Sequence, residues 1–387
     1  MKKFIMNTLV SIGMFVTFLS LIIYIGVLGN YQTIISQIAT VLFPLVAGPV
    51  LIAVVFIFFL AMLALWKNYR QKNKQHKGLV ILALMSSFAL LFGTVEWQQS
   101  KKIVEDNGGE LTLLGDTSIP LTAKPDGYKT YANKENKDLT VSIYENGESY
   151  GDKPQPILVY IHGGGWASGD SESQSGFLRG MANRGYVVFS INYRLATDED
   201  PTWEKATEDI ADAMNWIKAN ASNYGGDSSR LILSGESAGG HLALLYTGLV
   251  TNGQLNTPKP NAVGVMYPAI DLKWTSKNGR YLSTEPIPNI VEKYIGGNLT
   301  EYQDRLAAVD PLNYISKELP PIYIIHGEKD TLVTVTGSED YVEQVKAAGG
   351  QAELVSLPYS NHGVNLQASV SLITNFAESI DGLSVNK

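Results

Sequence analysis

A serine set between glycines is the first group in this chain that could do covalent chemistry. Gly235-Glu236-Ser237-Ala238-Gly239 follows the short apolar run 231–233 and opens a helical pattern. A strand that turns abruptly into a helix holds its central residue in a strained backbone conformation. Glycine at both flanks removes side chains that would clash in such a turn. The helix N-terminus then points amide groups and a positive dipole at the reacting atoms. The corresponding chemistry is attack by a hydroxyl, which needs a base to take its proton and an acid to fix the tautomer of that base. Taken alone, the same five residues also fit an ordinary glycine-rich strand-to-helix turn.

Five histidines compete for the role of base. His76 lies among basic residues near the N-terminal third, away from Ser237. His162 belongs to a glycine loop and reads as structural. His241 is one helical turn past Ser237, beside its helix rather than over its hydroxyl. His326 ends an apolar run and orders the turn after it. His362 sits in Pro358-Tyr359-Ser360-Asn361-His362-Gly363, a loop between a strand-like segment, 352–357, and the last helical pattern, and is the expected base. For the acid, Asp330 follows the strand 322–325, where a carboxylate reaches the ligand edge of an open sheet. Asp271, after the run 263–266, is the main alternative. Asp310 is a weaker one that reads better as a cap.

His162-Gly163-Gly164-Gly165-Trp166 closes the run 157–161. Its three glycines let backbone N–H groups approach a substrate oxygen, and two such donors with the amide of Ala238 could form an oxyanion hole. The loop lacks the Gly-Lys-Ser/Thr of a phosphate-binding loop.

The elements that must position these groups alternate in type. Residues 139–144 read as a half-buried strand. The runs 157–161, 187–191, 231–233, 263–266 and 322–325 are continuously apolar, which suits parallel strands covered on both faces. Helical patterns cover 202–220, 238–250, 338–348 and 367–380. Strand–helix alternation predicts a mostly parallel, doubly wound α/β sheet over 105–387. The irregular stretch 274–305 is a candidate cap over the site. Trp166, Trp203, Trp274 and Tyr281 are candidate pocket aromatics, weighed against ordinary packing.

The first hundred residues are a different material. They carry seven basic residues and one acid, Glu96, whereas 101–387 hold 23 basic and 36 acidic residues. No charged residue or histidine lies between Lys3 and Lys67. About 20 apolar residues cross a bilayer as a helix, so spans are expected near 5–28, 41–65 and 79–95, with Pro44, Gly48 and Pro49 at the start of the second and Glu96-Trp97 as an interfacial end to the third. Lys2 and Lys3, and then Lys67, Arg70, Lys72, Lys74 and Lys77, put the N-terminus and the second loop in the cytoplasm, which leaves the catalytic part outside the cell. A cleaved signal peptide at 1–28 is the rival reading. Its apolar stretch exceeds the usual length and no A-x-A site is evident. A soluble fold that buries all three segments is the third.

An acidic body argues against a nucleic-acid partner, and zero cysteine excludes disulfides, thiolate metal sites and a cysteine nucleophile. The segments HGGGW, NYRLA (192–196), GESAGG (235–240), HGEKD (326–330) and NHG (361–363) together resemble the α/β-hydrolase esterase/lipase family, in its hormone-sensitive-lipase-like and feruloyl-esterase or kynurenine-formamidase-like branches. The resemblance covers about 110–385. It implies Ser237 as nucleophile, Asp330 as acid, His362 as base and Gly163, Gly164 and Ala238 as oxyanion donors. The order Ser, Asp, His along the chain is that of the family. The sequence departs from many relatives after YRLA, where it has Thr197-Asp198-Glu199-Asp200-Pro201, a stretch on the substrate side.

The expectation is a membrane-anchored serine carboxylesterase for short-chain acyl or acetyl esters, on small molecules or extracellular glycans, working without metal or organic cofactor. An amidase or peptidase with the same triad, and a membrane sensor or scaffold whose hydrolase domain binds ligand, are the other readings. Oligomeric state is not legible.

Overall fold

The computed structural model describes residues 2–72, 76–145 and 153–385; Lys74, one of the orientation-setting cations, lies outside them. Three long helices come first: α1 (Lys2–Gly26), α2 (Ile34–Arg70) and α3 (Lys77–Asp106). All three are long and apolar enough to cross a bilayer. Their outward faces carry bare large apolar side chains, among them Phe15, Phe56, Phe59 and Phe88. Water would penalise that surface and hydrocarbon would not.

Helix bounds and apolar runs do not coincide. The second helix begins at Ile34, not near 41, where Thr33 caps it by accepting a hydrogen bond from the Ser36 amide. The third continues past Glu96 and Trp97 to Asp106. An apolar run marks the part of a helix suited to hydrocarbon, whereas these helices extend beyond it and pack on protein. Pro44, Gly48 and Pro49 accordingly lie inside α2 rather than at its start. Glu96 and Trp97 face inward and are buried, so they form no interfacial girdle.

An eight-stranded sheet follows: β1 (Gly127–Lys134), β2 (Lys137–Tyr144), β3 (Gln155–Ile161), β4 (Val187–Ile191), β5 (Gly226–Glu236), β6 (Ala262–Met266), β7 (Ile322–Gly327) and β8 (Ala352–Leu357). Its order is β1-β2-β4-β3-β5-β6-β7-β8. The pairs β1–β2 and β2–β4 are antiparallel; β3–β4, β3–β5, β5–β6, β6–β7 and β7–β8 are parallel. Every residue of β3, β4, β6 and β7 is buried, as their unbroken apolar character requires when helices cover both faces. The covering helices are α4 (Ser175–Asn183), α5 (Lys205–Asn220), α6 (Ala238–Thr251), α7 (Leu272–Asn278), α8 (Glu292–Ile295), α9 (Gln303–Ala308), α10 (Val335–Ala347) and α11 (Leu366–Glu378).

One continuous apolar core joins the two parts of the chain. Phe43, Ala47, Trp97 and Val104 from the long helices belong to the same cluster as Leu357, Ala368 and Leu372 of the sheet domain.

Candidate active site

Ser237 is the single residue between β5 and α6, and the turn forces it to φ 52° and ψ −122°. A side chain in that region is strained, and the flanking glycines are what make the turn possible. A Cβ on Gly239 would sit 2.1 Å from the Ile161 carbonyl oxygen, and one on Gly235 would sit 2.6 Å from that of Gly239. Backbone bonds then pin the turn: the Ser237 amide donates to the Met266 carbonyl at 3.0 Å, and the Ala269 amide donates to the Ser237 carbonyl at 3.2 Å.

The loop after β8 brings His362 over this serine. Ser237 Oγ lies 2.9 Å from His362 Nε2. His362 Nδ1 lies 2.7 Å from Asp330 Oδ2. Asp330 is buried just beyond the end of β7, and its other oxygen accepts from the Leu332 and Val333 amides at 2.8 and 3.0 Å. Burial alone would raise this carboxyl, but the facing His362 and His326 outweigh it and hold Asp330 well below the usual carboxylate range. His326 Nε2 is 3.3 Å from Asp330 Oδ2, and its Nδ1 is 2.8 Å from the Ser338 hydroxyl. It therefore orders its turn, as the sequence suggests, and also supports the acid. The two rival acids are occupied elsewhere. Asp271 caps α7 through the Trp274 amide, and Asp310 caps a short 3-10 turn through the Leu312 amide.

Gly163 and Gly164 line the same cavity as Ser237. A Cβ on Gly163 would touch the Ser237 Cβ at 3.2 Å. Gly164 has φ 104°, and a Cβ there would meet the Ser168 carbonyl oxygen at 2.1 Å. Ala238 is the first residue of α6 and is buried against the turn. Two of the three oxyanion candidates thus share the cavity of Ser237, and the third follows it directly in the chain.

The remaining histidines do not reach Ser237. His162 is buried, stacks on Tyr193 with ring centroids 4.5 Å apart, and bonds the Gly163 carbonyl at 2.7 Å. His241 is buried behind α6. The Trp166 indole can only donate, so it fixes His241 Nδ1 as acceptor at 3.2 Å, while Nε2 donates to the Val309 carbonyl at 2.8 Å. Burial pushes His241 down from 6.5 to about 4. A histidine held neutral in the fold but free to charge when unfolded contributes stability above its unfolded value and loses it as pH falls through the folded one. Between about pH 6.5 and 4 the protein is therefore expected to lose about 3 kcal/mol from this residue. A His241→Gln variant should show a flatter acid limb in urea midpoints measured across that window.

Sequence reading missed Glu236 as a member of the cavity. Its carboxylate accepts from Gln174 Nε2 at 2.6 Å and from the Tyr267 hydroxyl. Burial raises it from its usual value, against the opposing pull of Tyr267, His362 and Gln174. Its place inside the serine motif was a usable signal; Tyr267, which takes φ 35° just past β6, gave none. Of the four aromatics, Tyr281 lines the cavity. Trp166 stacks on Tyr294 in the core at 4.8 Å, Trp203 lies under Arg305, and Trp274 follows the Asp271 cap. Residues of the 274–305 segment, including Ile287, Pro288 and Lys293, form the far wall of the cavity, and Lys293 pairs at 3.3 Å with Asp198 of the atypical stretch. Among the described residues, no group of three or more His, Cys, Asp or Glu is arranged to hold a metal ion.

An open, mostly parallel sheet with its serine on the β5–α6 turn defines an α/β-hydrolase fold. Residues 142–345, more than half of the chain, match the BD-FAE family model, and the chain belongs to the BD-FAE family. It is 28% identical over 224 residues to esterase LipC of Mycobacterium tuberculosis, covering 55% of this chain and 54% of LipC. It is 28% identical over 282 residues to dipeptidyl aminopeptidase BIII of Pseudoxanthomonas mexicana, covering 66% of this chain and 38% of that enzyme. The chain spans about half the length of the curated relatives it matches. The propionate-bound structure of the thermophilic esterase Est2 of Thermogutta terrifontis superposes with a TM-score of 0.54 at 25% identity, over 69% of this chain and 96% of that one.

Proposed function

We propose that this protein is a membrane-anchored serine hydrolase, a carboxylesterase acting on short-chain acyl or acetyl esters of small molecules or glycans. The observation that carries the reading is the hydrogen-bonded series from Ser237 Oγ through His362 to Asp330, at 2.9 and 2.7 Å. Relatives named as esterases, and the propionate held by Est2, support ester chemistry and a short acyl group.

In this reading Ser237 Oγ attacks the carbonyl carbon as His362 Nε2 takes its proton. The amides of Gly163, Gly164 and Ala238 donate to the oxyanion. His362 returns the proton to the departing alkoxide, the C–O bond breaks, and an acyl-enzyme remains. Water, deprotonated by His362, then cleaves the acyl–Oγ bond and releases the acid. Asp330, ionised at neutral pH, stabilises the imidazolium in both steps. The three apolar helices hold the enzyme in the bilayer. The basic residues between Lys67 and Lys77 support a cytoplasmic second loop and N-terminus, and an external catalytic domain.

The test uses intact cells expressing the full chain and a membrane-impermeant fluorophosphonate. Labelling is expected in the wild type and absent in Ser237→Ala, whose kcat/KM on a soluble acetate ester should fall about ten-thousandfold or more. Labelling only after lysis would reverse the topology, and none in either state would remove the hydrolase reading. The similarity to a dipeptidyl aminopeptidase favours one second reading, an amidase on the same residues. Matched acetate and acetanilide substrates separate the two.

A further inference from the structure

Deep in the angle between α2 and the sheet domain lies a second cavity, of about 320 Å³, which no step above uses. Val41, Pro44 and Leu45 of α2 form one wall. Leu121 stands on the opposite rim, and Tyr267, Tyr281 and His362 close the inner end. These last three also line the cavity of about 540 Å³ that holds Ser237. The two spaces therefore meet at His362.

The position of the mouth relative to the bilayer follows from charge. Hydrocarbon accommodates about 20 helical residues. Counting back from Lys67, the first charge at the other end of α2, places the far membrane surface near Ala47. Pro44 and Leu45 lie within one turn of that surface. The sheet domain reaches the same level, because the Leu113 carbonyl packs directly on Gly48, where a Cβ would meet it at 2.2 Å. Around the mouth, Leu45 is 60% exposed and Leu121 86%. In water such leucines would be a liability; at a bilayer surface they are a mouth open to lipid.

Reaction geometry says which arm of an ester would lie there. The departing alkoxide must be next to His362 to receive its proton, while the acyl carbon stays at Ser237 and the oxyanion amides. The second cavity borders His362 but not Ser237, Gly163 or Gly164. We infer that this groove binds the alcohol arm of an ester dissolved in the bilayer, so that the substrate is a short-chain acyl ester of a long-chain hydrocarbon alcohol that enters sideways past α2. The inference rests on the esterase reading above and narrows its substrate from esters of small molecules or glycans to esters of membrane-resident alcohols.

The test uses the full chain in phosphatidylcholine vesicles, with rates normalised to sites titrated by a fluorophosphonate so that misfolded protein does not count. Butyl acetate, hexadecyl acetate and ethyl palmitate are compared. Both chains start from hydrocarbon, so the groove selects by shape rather than by removal from water. Leu45→Trp and, on the other rim, Leu121→Trp fill the mouth and are expected to lower the ratio of hexadecyl to butyl acetate hydrolysis about tenfold, the effect of about 1.4 kcal/mol of overpacking. Hydrolysis of butyl acetate with no hexadecyl acetate hydrolysis, or an unchanged ratio in both variants, would overturn the groove and leave the esterase reading standing. A preference for ethyl palmitate over hexadecyl acetate would reverse the arms and overturn the assignment. Failure on all three esters with no labelling would remove the esterase reading and this inference with it.

Discussion

Asp330→Asn is expected to lower kcat on a soluble ester about ten-thousandfold while leaving the fold intact. The substitution is nearly isosteric. Its carbonyl oxygen can keep the Leu332 and Val333 amides that now bond one carboxylate oxygen at 2.8 and 3.0 Å. The amide nitrogen would then face His362 Nδ1 in place of an acceptor 2.7 Å away. An N–H donor there forces Nδ1 to accept and moves the imidazole proton to Nε2, where it points at Ser237 Oγ. A protonated Nε2 cannot take the serine's proton, so the loss falls on the attack step. It should appear equally in acylation by an ester and in fluorophosphonate labelling. Asp271→Asn and Asp310→Asn are the controls. Each of those carboxylates accepts from a local amide at the start of a helical turn, so each variant should lose about 1 kcal/mol of stability at most and keep its rate. A large rate loss in either control, with Asp330→Asn near wild type, would reassign the acid.

The serine turn, the glycine loop and the histidine loop were legible because each requires particular residue types in unbroken sequence. The close carbonyl contacts leave no room for a side chain at either flank of the turn, so Gly235 and Gly239 announce the geometry and Ser237 between them the chemistry. Continuously apolar strands announced the parallel centre of the sheet in the same way. Strand β1 was not legible, because it is an edge whose residues are exposed or half-buried along its length and show no alternation. Helix α4 was missed for a related reason: Gly176 and Gly180, poor helix formers, are there because Leu121 carbonyl and Val370 leave no room for a Cβ. What α2 does at the site was hidden most deeply. Its prolines read as the start of a span, whereas they lie inside the helix and break its hydrogen-bond ladder.

Those breaks bear directly on the catalytic loop. Proline has no N–H, so Pro44 leaves the carbonyl four residues earlier, on Thr40, without its helical partner. That oxygen accepts from the Asn361 amide at 3.2 Å. The Thr40 hydroxyl accepts from Asn361 Nδ2 at 3.0 Å, and the Pro44 carbonyl accepts from Asn365 Nδ2 at 2.7 Å. Asn361 Oδ1 in turn accepts from the His362 and Thr331 amides. A helix that sequence alone assigns to the membrane thus grips the residues on both sides of His362.

Deleting residues 2–106 is therefore expected to do more than remove three apolar helices. The sheet domain would lose the partners of Tyr359, which packs edge-on to Phe43 at 5.4 Å, and of Leu372 and Leu357, which share a core with Val104, Trp97 and Ala47. Burial of one large apolar side chain is worth roughly 1.5–3 kcal/mol. Uncovering even three or four such contacts consumes most of the 5–15 kcal/mol that typically holds a domain together. The truncated chain should aggregate, or, if kept soluble in detergent, should react with a fluorophosphonate at least about a hundredfold more slowly than the full chain, because His362 loses its bracing. Thr40→Val isolates the polar part of this effect. It removes the hydroxyl that accepts from Asn361 Nδ2 and donates to the Ser36 carbonyl, each bond worth about 1 kcal/mol, and should lower kcat severalfold with rates normalised to sites titrated by the fluorophosphonate, so that misfolded protein does not count. Full-rate labelling of the truncated chain would reduce α2 to a tether, and with it would go the view that the membrane helices and the hydrolase sheet form one catalytic unit.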